Sequence, residues 1–470
     1  MARSRTTAHL LGASIVALSA CSAASAGVPQ EWDIDLVCRS SLDAGIPAFR
    51  LPQFSSLSSQ YVSLDEDGNV AVRVFINGNP NEAIFYGNTQ GGSLPLTTNS
   101  PDTMWSVTVE TRNGLIAVED ATLGPGGAGV HDSAGNLINR FEIGLYGIDG
   151  IAGVSDDGAL GYRAALGFSG QGIVLDEFVN GIREQTLLLS TLEPSDNTDF
   201  ILSPEMNASK QFVANILPVS GPSRRILRFT PDTNGYTREI IAETGSNPDG
   251  NFNSFVNSTA IAPNGSIAFN ARRAADSLWQ VSRRDSPVDP IVSIARGGDM
   301  GIVNSNLANF PPVVNSNGLV AFRVEDNTGS TALFVGDGSG GPDALTRIVG
   351  NGDIAETDLG PIPFGFDFGG TTGIQIMNGV VDINDANQVA FAAFLANGTI
   401  GIFVASPAGP EGCTAADLAE PFGVLDLADL QTFVQGFVAA DPIADLAAPE
   451  GVFDLADVQA FVTSFTAGCP

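Results

Sequence analysis

Six aspartates near the C-terminus have the spacing to do chemistry. Asp417, Asp426 and Asp429 recur 28 residues later as Asp445, Asp454 and Asp457, because ADLAEPFGVLDLADLQTFVQGF (416–437) aligns with ADLAAPEGVFDLADVQAFVTSF (444–465). Carboxylates gathered in a short loop are ligands for calcium, a hard cation that takes roughly six to eight oxygens. The same residues also suit helix starts. Asp426 and Asp454 fit as N-caps, and Asp429 and Asp457 fit the first turn, where unpaired N–H groups and the helix dipole favour negative charge. Both readings stand at this point. Leu427, Leu430, Phe433, Val434 and Phe437 then recur at helical spacing, as do Leu455, Val458, Phe461, Val462 and Phe465. Two short amphipathic helices packed face to face are expected. At ~55 residues their core is thin, and Cys413 and Cys469, which bracket it, are the natural disulfide pair.

Other reactive groups are scarce. Beyond residue 26 the chain has one histidine, His131, and one lysine, Lys210. That excludes histidine triads, His-ligated metal centres and lysine Schiff-base chemistry. No G-x-S-x-G, H-E-x-x-H or P-loop spacing occurs. Acidic residues at Asp65, Glu66, Asp67, Asp156 and Asp157 leave glycoside hydrolysis by paired carboxylates as the enzymatic alternative. They lie in turns, however, where Asp is expected for conformational reasons.

Those turns belong to a repeat. The pattern N-x-x-G-x-x-A-F, read loosely, begins at Asp65, Thr111, Ser155, Asn207, Ala262, Asn315 and Asn384, at spacings of 46, 44, 52, 55, 53 and 69 residues. Asn, Asp, Ser or Thr first and Gly fourth are what a type I turn followed by a positive-φ residue asks for. Lys210 and Asn387 replace the Gly in two copies. Asn tolerates that backbone region and Lys does not suit it, so the fourth copy reads as the weakest. A buried strand follows each turn, then a second strand in every copy and a third in all but the last. WDIDLVCRS, Trp32–Ser40, precedes the first copy and resembles the third strands. A displaced strand of this kind closes a ring, so the expected fold is all-β: a seven-bladed β-propeller-like repeat domain followed by a small all-α helix pair.

The seven copies resemble a family of secreted bacterial tandem-repeat proteins with variable C-terminal anchors, over roughly residues 33–407. That resemblance implies a fold and no activity. The duplicated segment, framed by Gly412-Cys413 and Gly468-Cys469, resembles the dockerins of planctomycete bacteria. The dockerin loop D-x-N-x-D-G-x-x-D-x-x-D ligates calcium through its first, third, fifth, ninth and twelfth positions. Asp417 and Asp445 match the first, Asp426 and Asp454 the ninth, Asp429 and Asp457 the twelfth. Ala419 and Pro421, and Ala447 and Pro449, stand at the third and fifth, and each loop is one residue longer. The resemblance implies docking onto a cohesin-like or other cell-surface protein through residues 413–470, with Ca²⁺ as cofactor of a degenerate loop.

The N-terminus reads as a secretion signal over residues 1–26: Arg3 and Arg5, an apolar run, then Ala24-Ser25-Ala26. Leu18-Ser19-Ala20-Cys21 also resembles a lipobox, and lipidation at Cys21 is the alternative anchor. The expected organisation is signal 1–26, repeat domain 27–406, linker 407–412 and dockerin-like domain 413–470. A formal charge of −31 repels nucleic acid and anionic lipid. No other segment reaches the ~18 apolar residues of a membrane span. The remaining cysteine, Cys38, reads as a buried free thiol. An extracellular, non-enzymatic binding or display protein is expected, its propeller holding a carbohydrate or protein ligand.

Overall fold

In a computed structural model of the chain, the described residues are 27–58, 61–78, 80–98, 109–119, 127–142, 144–245, 252–302, 311–325, 330–340, 344–367, 377, 379–408, 414–419, 425–447 and 452–468. Residues 1–26, which include Cys21, and Cys413 and Cys469 lie outside them, so the secretion-signal, lipidation and disulfide expectations do too. Among the described residues no helix is long and apolar enough to cross a membrane.

Seven antiparallel sheets, each holding one copy of the repeat turn, form the blades of a β-propeller. Each repeat turn joins the innermost strand of a blade to its second strand. The second strands are buried on both faces, as in Val320–Glu325 and Val389–Phe394, because each sheet is covered by a neighbour on either side. The cores accordingly lie between blades. Leu333 and Val335 of blade 6 share one with Phe391 and Phe403 of blade 7. Val70, Val72 and Phe85 of blade 1 share another with Ile402 and Val404 of blade 7.

Ring closure follows the expectation. Trp32–Ser40 pairs antiparallel with Ile400–Pro407, from Trp32 opposite Pro407 to Ser40 opposite Ile400. The N-terminal strand thereby becomes the outer strand of blade 7. The long 69-residue interval before the last copy contains an added hairpin, Ile354–Thr357 with Gly360–Pro363. At its tip Asp358 grips Arg39 of the closing strand through two bonds of 3.0 and 2.8 Å.

Two turns depart from expectation. Lys210 occupies the positive-φ position at φ 59°, and its turn keeps the bonds of the others: Lys210 N–H to Asn207 O at 3.0 Å, Asn207 N–H to Gln211 O at 3.0 Å. The strain is offset by two ion pairs, to Asp157 at 2.8 Å and Glu177 at 2.6 Å, so this copy is as well formed as its neighbours. Blade 2 turns more tightly. Arg112 pairs directly with Leu115, and Asn113 and Gly114 (φ 47° and 78°) make a two-residue hairpin instead of a type I turn.

The C-terminal helices are Leu427–Ala439 (α1) and Leu455–Ala467 (α2). Phe433 and Phe461 stack at 4.2 Å between ring centres and, with Ala416 and Ala444, are the buried core. Leu427, Leu430, Val434, Leu455 and Val462, which share the apolar pattern, remain 42–67% exposed. A body this small cannot cover every apolar residue of two helices.

Candidate functional site

The six C-terminal aspartates divide into caps and loop residues. Asp426 and Asp454 are N-caps, each accepting from a backbone N–H two residues on (Ala428 and Ala456, 2.6 Å in both). Asp429 closes the capping box through the N–H of Asp426 at 2.8 Å. Its other oxygen takes the N–H groups of Leu418 and Ala419 at 2.7 and 2.8 Å. Asp457 repeats this with Asp454, Leu446 and Ala447 at 2.9, 2.8 and 2.9 Å. Burial pushes the Asp429 carboxyl up, but these N–H groups outweigh it and hold it below the ordinary range. The N–H of Asp454 likewise holds Asp457 down against a milder burial effect. Both side chains are sealed from water by the local chain, and not by a dense core, so hydrogen bonding wins. Asp417 is buried and Asp445 half-buried in the loops. Calcium would have to displace three backbone bonds from each twelfth-position carboxylate. Among the described residues no group of three His, Cys, Asp or Glu is placed to hold a metal ion.

The acidic turn residues of the propeller are engaged structurally. Consecutive repeat turns are tied to one another around the ring. Arg112 bonds Glu66 at 3.2 Å, Asn113 bonds Asp156 at 3.0 Å, and Lys210 bonds Asp157 at 2.8 Å. Asn207 donates to Ala262 O at 2.8 Å, Asn264 to Ser316 O at 2.9 Å, Asn315 to Asn384 O at 2.9 Å and Asn384 to Asp65 O at 3.0 Å. His131 is a buried strand residue facing Gly135 O at 3.4 Å, and Cys38 is a buried free thiol whose pKa burial pushes up.

The richest constellation lies elsewhere, in the central channel. A cavity of about 530 Å³ is lined by the innermost strands of all seven blades. Strand register defines one level of it. The small residue at the seventh position of each repeat pairs with one inner-strand residue. Ser63 pairs with Ala71, Glu110 with Ala117, Gly153 with Gly161 and Glu205 with Val213. Ala260 pairs with Ala268, Val313 with Ala321 and Asp382 with Ala390. Equivalent register places these residues at one height around the axis. Carboxyl groups therefore enter that level from blades 2, 4 and 7.

Each carboxyl is held by the inner strand of an adjacent blade. Asp382 accepts from Leu64 N–H at 2.7 Å. Glu205 accepts from Ile261 N–H, and Glu110 from the Ser63 hydroxyl, which itself takes Thr111 N–H at 3.0 Å. The three side chains are half-buried, lining the cavity with protein around them. Burial pushes Glu110 up to about 8, with the charge of Asp382 adding and Arg112 opposing. Burial pushes Asp382 up to about 6, against the N–H groups of Leu64 and Ile383. Burial, then the charges of Glu110 and Asp382, drive Glu205 well above its usual range. The trio thus loses its protons in steps, Asp382 ahead of Glu110. Such a site can donate and accept hydrogen bonds, pass a proton, or receive a positive charge. Arg112 and the Arg163–Asp149 pair (3.1 Å) line the same cavity.

These carboxyls are absent from the sequence-based candidates. Their signal is position: Glu205 and Asp382 lie two residues before the repeat, and Glu110 one before, the offset that the tighter blade 2 hairpin requires.

Similar solved structures are propellers that share little sequence. An oligogalacturonate lyase in complex with manganese matches with a TM-score of 0.50 at 9% identity, over 80% of this chain and 98% of that one. The oligogalacturonate lyase of Vibrio parahaemolyticus gives 0.47 at 9%, over 81% and 98%. TolB from Acinetobacter baumannii gives 0.38 at 16%, over 58% of this chain and 62% of TolB, so the chain spans less than two thirds of that protein. These likenesses concern the fold alone. No curated protein matches the chain. The family of unknown function DUF7453 matches residues 145–416, more than half of the sequence, and the chain belongs to that family.

Proposed function

We propose that the chain is an extracellular, non-enzymatic binding protein whose ligand occupies the central channel and whose C-terminal helix pair attaches it to a cell-surface partner. The observation that carries the first half is the cavity: all seven blades contribute to one concave site with convergent polar groups, the usual form of a small-ligand pocket. The turns around it are tied into a ring, so the lining is pre-organised. Attachment is supported by the helix pair. Leu427, Val434 and Val438 of α1 and Leu455 and Val462 of α2 stay at least half exposed, apolar surface that the small core does not use. A cohesin-like protein is the partner that the duplicated segment suggests.

The test of the channel is a plugged variant. Small molecules that raise the melting temperature of the full protein should lose that effect in Ala260→Trp, which fills the carboxyl level. Equal stabilisation of the plugged variant would sink the channel reading. Attachment is tested by deleting residues 413–470: the truncated protein should leave the cell-surface fraction for the medium. Retention at the membrane would move attachment to Cys21.

One observation favours a second reading, glycan cleavage. Carboxyls held in unlike protonation states are what a general acid and its partner need. Release of reducing ends from acidic or neutral polysaccharides, abolished in Glu205→Gln, would establish it. No release by the wild-type protein would remove it.

A further inference from the structure

The carboxyl level of the channel has two unlike sides. Asp382, Ser63 and Glu110 come from the successive blades 7, 1 and 2, and Glu205 faces them from blade 4. Ala260 and Val313 come from the successive blades 5 and 6 and present only methyl groups. Gly153 of blade 3, between Glu110 and Glu205, presents no side chain. One arc is therefore acidic and hydroxylic and the other aliphatic, within one cavity of about 530 Å³.

Resting on the channel as the binding site, we propose that its ligand is an organic cation, an amine or guanidinium with an apolar flank. The charged head sits among Glu110, Glu205 and Asp382, and the flank lies against Ala260 and Val313. The charge balance of the cavity asks for such a head. Arg112 is engaged by Glu66 at 3.2 Å while also facing Glu110 and Asp382, and Arg163 is engaged by Asp149 at 3.1 Å, so the two lining arginines are outnumbered by the lining carboxyls Glu66, Glu110, Asp149, Glu205 and Asp382. A bare metal ion is the poorer fit, because among the described residues no three His, Cys, Asp or Glu side chains are grouped to hold one. The positive charge must arrive on a body large enough to reach across the channel. The aliphatic arc then selects what that body carries. A wholly polar polycation would leave the half-buried Val313 uncovered, and a neutral apolar molecule would leave the carboxyls as they are.

The reading has a proton signature. A cation favours the ionised carboxyls, so binding draws protons off the trio and releases them to solvent. Affinity should rise with pH through about 8, where Glu110 titrates. The other charged or titratable groups facing this space are Glu66, Arg112, Asp149, Arg163 and Tyr61. Burial raises the Glu66 carboxyl as well, and it adds to the same effect.

The experiment is calorimetry on the full protein with three probes: n-hexylamine, n-hexanol and calcium chloride, in two buffers of different ionisation heat. Hexylamine should bind about tenfold more tightly than hexanol, as a charge-assisted contact allows. Its binding should release protons, and calcium should not displace it. The Glu110→Gln, Glu205→Gln, Asp382→Asn triple variant should lose the preference for the amine while keeping the weak hexanol affinity. Hexanol binding as tightly as hexylamine would overturn the cation reading and leave the channel as the site. Amine binding undiminished in Ala260→Trp would overturn the channel itself. Displacement of the amine by calcium, or no binding by any probe, would also overturn the proposal. Should the triple variant fail to fold, proton release by the wild type decides, and its absence counts against the cation.

Discussion

Asn384 donates from Nδ2 to the carbonyl of Asp65 at 3.0 Å, joining the last repeat turn to the first across 319 residues of chain. Its Oδ1 meanwhile accepts the N–H of Gln388 at 3.0 Å, which shapes its own turn. One buried amide thus does two jobs, its oxygen accepting within the turn and its NH₂ donating to the next blade. Asn207 and Asn315 repeat the arrangement between blades 4 and 5 and blades 6 and 7. Replacing Asn384 by Asp keeps the acceptor but sets a carboxylate oxygen against a carbonyl. A loss of about 1–3 kcal/mol is expected, the cost of a buried acceptor left without its donor. Urea denaturation checks it, and an unchanged midpoint would separate ring closure from this bond.

Closure also depends on Arg39, whose side chain is fully buried in the closing strand and paired with Asp358 at 2.8 Å. Asp358 itself is only 18% exposed. Asp358→Ala strands a guanidinium away from water, which should cost on the order of 3 kcal/mol. Replacing both partners, Arg39→Met with Asp358→Ala, should recover part of that loss. Denaturation of the two variants side by side gives the comparison, and equal instability would indicate that packing by the inserted hairpin matters more than charge.

The channel carboxyls make the propeller less stable as pH rises. Glu110 is raised from an ordinary 4.5 to about 8, so its folded form holds a proton that the unfolded chain releases earlier. A raised acid of this kind contributes stability that is fully present below about 4.5 and lost as pH climbs to about 8. Glu205 acts in the same direction. Melting temperature should therefore fall across that window. A Glu110→Gln, Glu205→Gln variant, which cannot ionise there, should hold a flatter profile and be the more stable protein at the alkaline end. Parallel profiles for the two proteins would contradict the buried-carboxyl account.

What the sequence shows of this fold is what local chemistry writes. The turns at Asp65 and Asn315 are legible because Asn or Asp and a positive-φ Gly act within five residues. The closing strand is legible because Trp32–Ser40 supplies what the last repeat lacks. The channel is not legible in this way. Glu110, Glu205 and Asp382 are far apart in the chain and stand at unequal offsets from their turns, so only the strand register aligns them. Lys210 misleads for a related reason: its unfavourable φ is offset by Asp157 and Glu177, partners from the preceding blade. In the helix pair the caps at Asp426 and Asp454 are local and readable. Which of the apolar residues face the core depends on how two short helices stack on Phe433 and Phe461.

The last prediction separates caps from calcium in that helix pair. Asp429 and Asp457 are lowered carboxyls, so their contribution is fully present above the ordinary 3.8 and is lost as pH falls through their lowered values. Helical circular dichroism from α1 and α2 should thus survive mild acid and collapse only in strong acid. Asp457→Asn should weaken α2 at neutral pH. An amide can keep one oxygen on the N–H groups of Leu446 and Ala447, but its NH₂ would then face the N–H of Asp454, donor against donor. Calcium should leave these helices unchanged at millimolar concentration, because a bound ion would compete with three backbone N–H bonds at each of the two carboxylates. A rise in their unfolding temperature with calcium, lost in Asp417→Ala and Asp445→Ala, would instead show that the loop aspartates hold the ion and that the caps rearrange to admit it.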